Sequence, residues 1–321
     1  MKCILSNGTK INYSGLTKIV ENDNINEEGE NKMFVLFTDT DTDMTPNLAK
    51  EFGYNLIIMP YMIGNKEVKP YVDYQVFDDK KYYDLLRKGT IPKTNAISPY
   101  DYMTYFEPFF KEGKDILYVH FSSAMSGTFN AMNIALDELY EKYPDRKLYT
   151  IDTKGISALS LNIVKAVGDL YKQGKSLEEI LAWADTEVDK YAIYFYADDL
   201  KFFGRSGRVS NFSALMGNMF GVHPIIYIGE DGKMTTINKA NGRKGSLKKM
   251  MEYVINLQDD IKKHRVIIAH TDALDLAELL GNMLKEQFGE DLEIEYGPVN
   301  PTIGAHCGPD CVGVSFHAIH R

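Results

Sequence analysis

Cysteine and tryptophan are nearly absent from this chain, at three and one among 321 residues. So few cysteines, and an odd number of them, exclude a disulfide framework and suit a reducing compartment. Long apolar runs are missing too: no stretch approaches the roughly 20 residues of a membrane span. Met1-Lys2-Cys3 opens into the polar SNGTKINYSG rather than into the apolar core of a signal peptide, so the expectation is a soluble, cytoplasmic protein. Positive charge is in deficit, with 36 basic against 45 acidic residues, a net charge of −9 and no long basic stretch. Nucleic acid is thereby set aside as a partner. What the chain has in quantity is tyrosine (21) and phenylalanine (16), within an apolar content of 44%. That supply serves core packing first, and a greasy cavity second. The length favours two domains.

Residues 1–32 read as an N-terminal extension. CILSNGTKINY carries Asn-Gly between two short strand-like halves, a hairpin signal, and ENDNINEEGENK after it is acidic and polar. From Met33 onward, strands at 33–37, 55–59, 116–121 and 147–151 alternate with helices near 45–52, 79–88, 129–139 and 157–171. This alternation predicts an α/β domain with a parallel sheet over 33–175. After it the pattern changes. YAIYFYA, HPIIYIG, KMTTINKA, RVIIAHT, LEIEYGP and GVSFHAI are six short strand candidates, and helices near 177–189, 212–219, 245–258 and 274–287 fall between pairs of strands. The expectation for 176–321 is an α+β domain with a mostly antiparallel sheet.

HFSSAMSGTFNAM, residues 120–132, places Ser122, Ser123, Ser126 and Thr128 between a buried strand and an amphipathic helix. Backbone N–H groups at such a helix start lack intrahelical partners and sit in partial positive potential, so the loop is suited to an anion. The other use of the same residues is plain helix capping by Ser126, with the remaining hydroxyls in water. Other motifs fail on context. GDLYKQGKS has one residue too many for a phosphate-binding P-loop and lies inside a helix, while Ser176 and Glu179 form a capping box. His306, Cys307 and Cys311 make one cluster without a second ligand pair, so no metal is expected. TDTDTD lacks the downstream Gly and Glu of a calcium loop, and Thr45-Pro46 after it reads as a helix start. A Gly-x-Ser-x-Gly hydrolase elbow is absent.

Six stretches taken in order resemble one family, the DegV family of bacterial fatty-acid-binding proteins. They are FTDTDTDM, IPKTNAISP, SSAMSGTFNA, ADDLKFFGRSGRVS, AHTDALDLAELL and IGAHCGPDCVGV, spread over about residues 33–319. The resemblance implies two α/β domains, the second completing a lipid tunnel, with an acyl chain buried and its carboxylate held by hydroxyls. Carried onto this chain, the carboxylate partners are Thr94 and Ser123, with Ser122 and Ser126 shaping the loop and His306 nearby. It further implies no catalysis and no cofactor, and a separate ATP-dependent fatty acid kinase that docks on the loop bearing Arg205 and Arg208. The chain departs from the family pattern at Asn95-Ala96-Ile97, where the family has Ser-Gln-Pro, and at Asp310, where it has glycine. The rival expectation is a cytosolic acyl hydrolase or transferase, with Ser123 or Ser126 as nucleophile and His306 as base.

Overall fold

The computed structural model describes residues 3–4, 10–11, 34–210 and 221–321. Two short strands, β1 (Cys3–Ile4) and β2 (Lys10–Ile11), pair antiparallel, as the hairpin signal predicts. The rest of the expected extension, and the helix expected near 212–219, lie outside the described residues.

β3 (Phe34–Asp39) is buried along its whole length and pairs in parallel with β4 (Tyr54–Ile57). α1 (Pro46–Phe52) connects them, capped by Thr45 and opened by Pro46. A three-stranded antiparallel ribbon follows: β5 (Tyr61–Ile63), β6 (Lys66–Val68) and, after α2 (Asp79–Arg87), β7 (Lys93–Thr94). α3 (Pro99–Lys111) then leads into β8 (Asp115–His120), α4 (Thr128–Lys142), β9 (Leu148–Asp152) and α5 (Ala158–Lys172). The parallel sheet has the order β4-β3-β8-β9. Helices on both faces explain why its central strands are continuously apolar instead of alternating.

α6 (Leu177–Glu187), opened by the Ser176–Glu179 capping box, leads into a seven-stranded sheet. Its strands are β10 (Tyr191–Tyr196), β11 (Val209–Ser210), β12 (Val222–Ile228), β13 (Met234–Asn241), β14 (Val266–His270), β15 (Ile294–Pro298) and β16 (Val312–His317), in the order β11-β13-β12-β10-β16-β14-β15. It is mostly antiparallel; the β11–β13 and β14–β15 edges are parallel. α7 (Leu200–Ser206), α8 (Gly242–Leu257), α9 (Leu274–Phe288) and α10 (Pro301–Cys307) complete the chain.

The expected domain line at 175/176 falls in the turn between α5 and α6. One buried cluster nevertheless runs from Leu36 and Leu117 through Ile163 of α5 to Ile193, Ile226 and Ile267. α5 is buried over most of its surface, at eleven of its fifteen residues, as a helix packed between two sheets must be. Among the described residues no helix is long and apolar enough to cross a membrane.

Candidate functional site

The TDTDTD turn ties the two sheets together. After β3 the chain makes a short 3-10 turn, Thr40–Thr42, and Asp43 closes it in the left-handed region (φ 56°), which Asp tolerates. Asp43 Oδ1 accepts from both the backbone N–H and the side-chain amide of Asn300, each at 2.9 Å. Asn300 in turn caps α10, accepting from Thr302 N and Ile303 N at 2.9 and 3.1 Å. An acidic turn that reads as a calcium loop fragment is therefore the anchor that sets the helix bearing His306.

His306 and Thr94 come together from residues far apart in the chain. Thr94 Oγ1 and His306 Nε2 share a hydrogen bond of 2.9 Å. Burial, and then the positive charge of Arg208, push the imidazole down to about 4, so it is neutral near pH 7 and offers one donor and one acceptor. These three residues and Ser126 line a single cavity of about 240 Å³. Much of the rest of its wall is apolar, including Phe195, Phe203, Ile228, Met234, Val299 and Val312, with Asp41, Thr128, Ser157 and Thr302 also on it. A neutral imidazole, two hydroxyls and one guanidinium can together hold a carboxylate, and the greasy remainder suits a hydrocarbon.

The hydroxyl loop divides its labour differently from the expectation. Ser123 is exposed and is not part of the cavity wall; its Oγ donates to Asp152 Oδ2 at 2.5 Å, and its N–H reaches the same oxygen at 3.2 Å. The 3-10 turn Ser123–Met125 rotates position 123 outward and position 126 inward. Ser126 accepts from Thr128 N at 3.2 Å, and no side chain caps α4 from Gly127. Ser122 does shape the loop: its hydroxyl donates to Gly232 O at 2.7 Å, pinning the β12–β13 hairpin against the parallel sheet. Gly232 has φ 71°, and a Cβ there would collide with Ser122 Oγ, so the hairpin needs glycine at this position.

The two arginines also part company. Arg205, near the end of α7, is exposed. Arg208 lines the cavity, with Nη1 donating to Ser206 O at 2.6 Å. The sequence placed both on one docking loop because Gly204 and Gly207 read as loop breakers. In fact Gly204 is helical, and Gly207 ends the helix with φ 66°. Among the described residues no hydrogen bond joins His306 to Ser123 or Ser126; the partner of His306 Nε2 is Thr94 Oγ1. No group of three or more His, Cys, Asp or Glu among the described residues is arranged to hold a metal ion.

Phe203 faces the cavity and Phe202 packs behind α10, where a Cβ at Gly308 would strike its ring. The remaining apolar wall, drawn from β10, β12 and β16, carries no sequence mark that separates it from ordinary core.

Comparison with known proteins identifies the family. Residues 33–318 match the model of a family described as "uncharacterised protein, DegV family". A DegV domain-containing protein of Clostridium perfringens is 33% identical over 286 residues, covering 89% of this chain and 97% of that protein. Among solved structures, a fatty-acid-binding DegV family protein from Streptococcus agalactiae is 26% identical with a TM-score of 0.75, covering 88% of this chain and 98% of that one. A DegV family protein from Eubacterium eligens, loaded with heptadecanoic acid, shares the fold at 20% identity and a TM-score of 0.75, covering 88% of this chain and 99% of that one. From Phe34 at the start of the parallel sheet to His317 at the end of the antiparallel one, this chain belongs to the DegV family.

Proposed function

We propose that the protein binds a long-chain fatty acid, with the tail along the apolar wall and the carboxylate at Thr94, Ser126, His306 and Arg208, and that it has no catalysis of its own. The observation that carries this reading is the joining, in one cavity, of a neutral hydrogen-bonded Thr94–His306 pair and a guanidinium with a largely apolar lining. The relative described as fatty-acid-binding and the fold neighbour loaded with heptadecanoic acid support it. A tail of about 15 methylenes gains on the order of 12 kcal/mol gross at roughly 0.8 kcal/mol each. Association and ordering take back several of these, which leaves submicromolar binding.

Kinase presentation belongs to the same proposal. A separate ATP-dependent kinase would phosphorylate the bound acid, docking on the side where Arg205 of α7 stands exposed while Arg208 faces the ligand. Mass spectrometry of the protein as purified from bacteria tests the central claim. A noncovalent C14–C18 fatty acid, released by organic solvent, is the expected result. A covalent acyl-serine would favour the hydrolase reading, and absence of any acid, together with no thermal shift on adding one, would defeat the proposal.

A further inference from the structure

Three carboxyl groups stand in the turn after β3, all buried, and they are not equivalent. Asp39 accepts from Asp41 N at 2.9 Å, from the Tyr118 hydroxyl at 2.9 Å and from Phe121 N at 3.3 Å. Asp43 accepts from the Ser157 hydroxyl and twice from Asn300. For Asp41, between them, no side-chain donor is found among the described residues: its Oδ1 is buried and unpartnered, and the residue is only 7% exposed. It is also the one of the three that forms part of the wall of the cavity described above.

The other buried hydroxyl groups of that wall are satisfied. Thr128 Oγ1 bonds to the Tyr102 hydroxyl at 3.2 Å, Thr302 Oγ1 donates to Met59 O at 3.1 Å, and Ser157 is held by Asp43. Native proteins pair nearly all of their buried polar groups, because a group left without a partner bears its full desolvation penalty. A carboxyl kept unpaired in the wall of a ligand cavity is therefore half of an interaction whose other half arrives with the ligand. Asp41 belongs to the turn after β3, a different element from β7, α7 and α10, which bear or precede Thr94, Arg208 and His306.

The geometry points to Asp41 as a specificity-determining residue that pairs with a hydroxyl or keto oxygen carried on the acyl chain, making oxygenated long-chain fatty acids the favoured ligand class. This inference rests on the fatty-acid reading and narrows it. Burial, then the neighbouring Asp39 and Asp43 charges, raise the Asp41 carboxyl well above the usual carboxylate range, which favours its protonated form. In that state it donates through its O–H and accepts through its C=O, which matches a ligand hydroxyl in both directions and a ketone in one. An ionised carboxylate would be the wrong partner for a hydrocarbon tail; a neutral carboxyl beside an apolar chain costs less and gains when an oxygen is presented to it.

The test is competitive titration of delipidated full-length protein with octadecanoic acid and with its hydroxy derivatives bearing the group at the third, tenth or twelfth carbon, repeated on Asp41→Leu and Asp41→Ala. In a purely apolar tunnel every hydroxy acid should bind about tenfold or more weaker than the parent, since a buried hydroxyl without a partner loses its water. For the wild type at least one positional isomer should match or exceed octadecanoic acid. In both variants that isomer should fall about tenfold behind the parent acid measured on the same protein. If all hydroxy isomers trail octadecanoic acid by the same factor in wild type and variants, Asp41 reads no oxygen and the inference is overturned. Because each comparison is a ratio within one protein, Asp41→Ala decides the matter if Asp41→Leu fails to fold. Failure of octadecanoic acid and all its derivatives to bind the wild type would overturn the fatty-acid reading itself, an outcome distinct from a lost preference.

Discussion

Replacing Arg208 by glutamine should weaken fatty acid binding through the head group alone. Arg208 is the guanidinium in the cavity wall, close enough to His306 to depress its protonation. A carboxylate about 4 Å from a cation gains roughly 4 kcal/mol at the effective dielectric of a protein surface. Arg208 is exposed, so solvent screens much of this. The surviving contribution should be that of a charge-assisted hydrogen bond, about 1.5–3 kcal/mol, which corresponds to roughly a ten- to hundredfold loss of affinity. Hexadecanol has the same tail without the charge, and its affinity should change by less than about twofold on the physical ground that only the ion pair is lost. Calorimetric titration of delipidated wild type and Arg208→Gln with palmitate and hexadecanol, at low and high salt, measures all four quantities. Salt should weaken palmitate binding to the wild type more than to the variant. Equal losses for acid and alcohol would show that Arg208 only packs the mouth of the cavity, and an unchanged palmitate affinity would remove it from the site.

Ser126→Ala should weaken palmitate binding about tenfold, the worth of one hydrogen bond to a charged acceptor, whereas Ser123→Ala should leave it within about twofold; the reverse order in the same titration would restore Ser123 to the ligand. Arg205→Ala should leave palmitate affinity unchanged and slow phosphoryl transfer by a cognate kinase, since an exposed charge acts mainly on encounter; equal losses in both assays would place Arg205 in the pocket. Burial raises Asp39 to about 7 and Asp43 to about 6, against tyrosine, serine, amide and backbone hydrogen bonds that lower them. Carboxyls that hold their protons more tightly folded than unfolded stabilise the fold below the unfolded value and lose that contribution as pH rises through the folded value. Urea unfolding should therefore show wild-type stability falling between about pH 4 and 6 by a few kcal/mol relative to Asp43→Asn, in which this group no longer titrates. A difference of the opposite sign would show that Asp43 is held as a carboxylate.

Much of the architecture is decided locally and is legible in the residues. The apolar run Phe34 to Phe37 is continuous because both faces of β3 are covered, and Ser176 with Glu179 opens α6 as a capping box wherever the chain is placed. α3 escaped the reading, although Ser98, Pro99 and Asp101 spell its start, because aromatic density and Pro108 obscure its period. α7 escaped because Gly204 inside a helix reads as a break, and with it went the difference between Arg205 outside and Arg208 inside. Motif order identified the hydroxyl loop, yet Ser123 and Ser126 are indistinguishable as residue types; a single 3-10 turn, held from Gly232 and Asp152 across the two sheets, decides which one meets the cavity. The same holds for the acidic turn. Asp39, Asp41 and Asp43 alternate identically in sequence, and only the arrival of Tyr118, Phe121, Ser157 and Asn300 from distant elements leaves Asp41 Oδ1 without a partner among the described residues. Periodicity and capping are short-range properties that the chain carries with it, whereas the pairing of a buried polar group depends on which donors tertiary packing brings within about 3 Å.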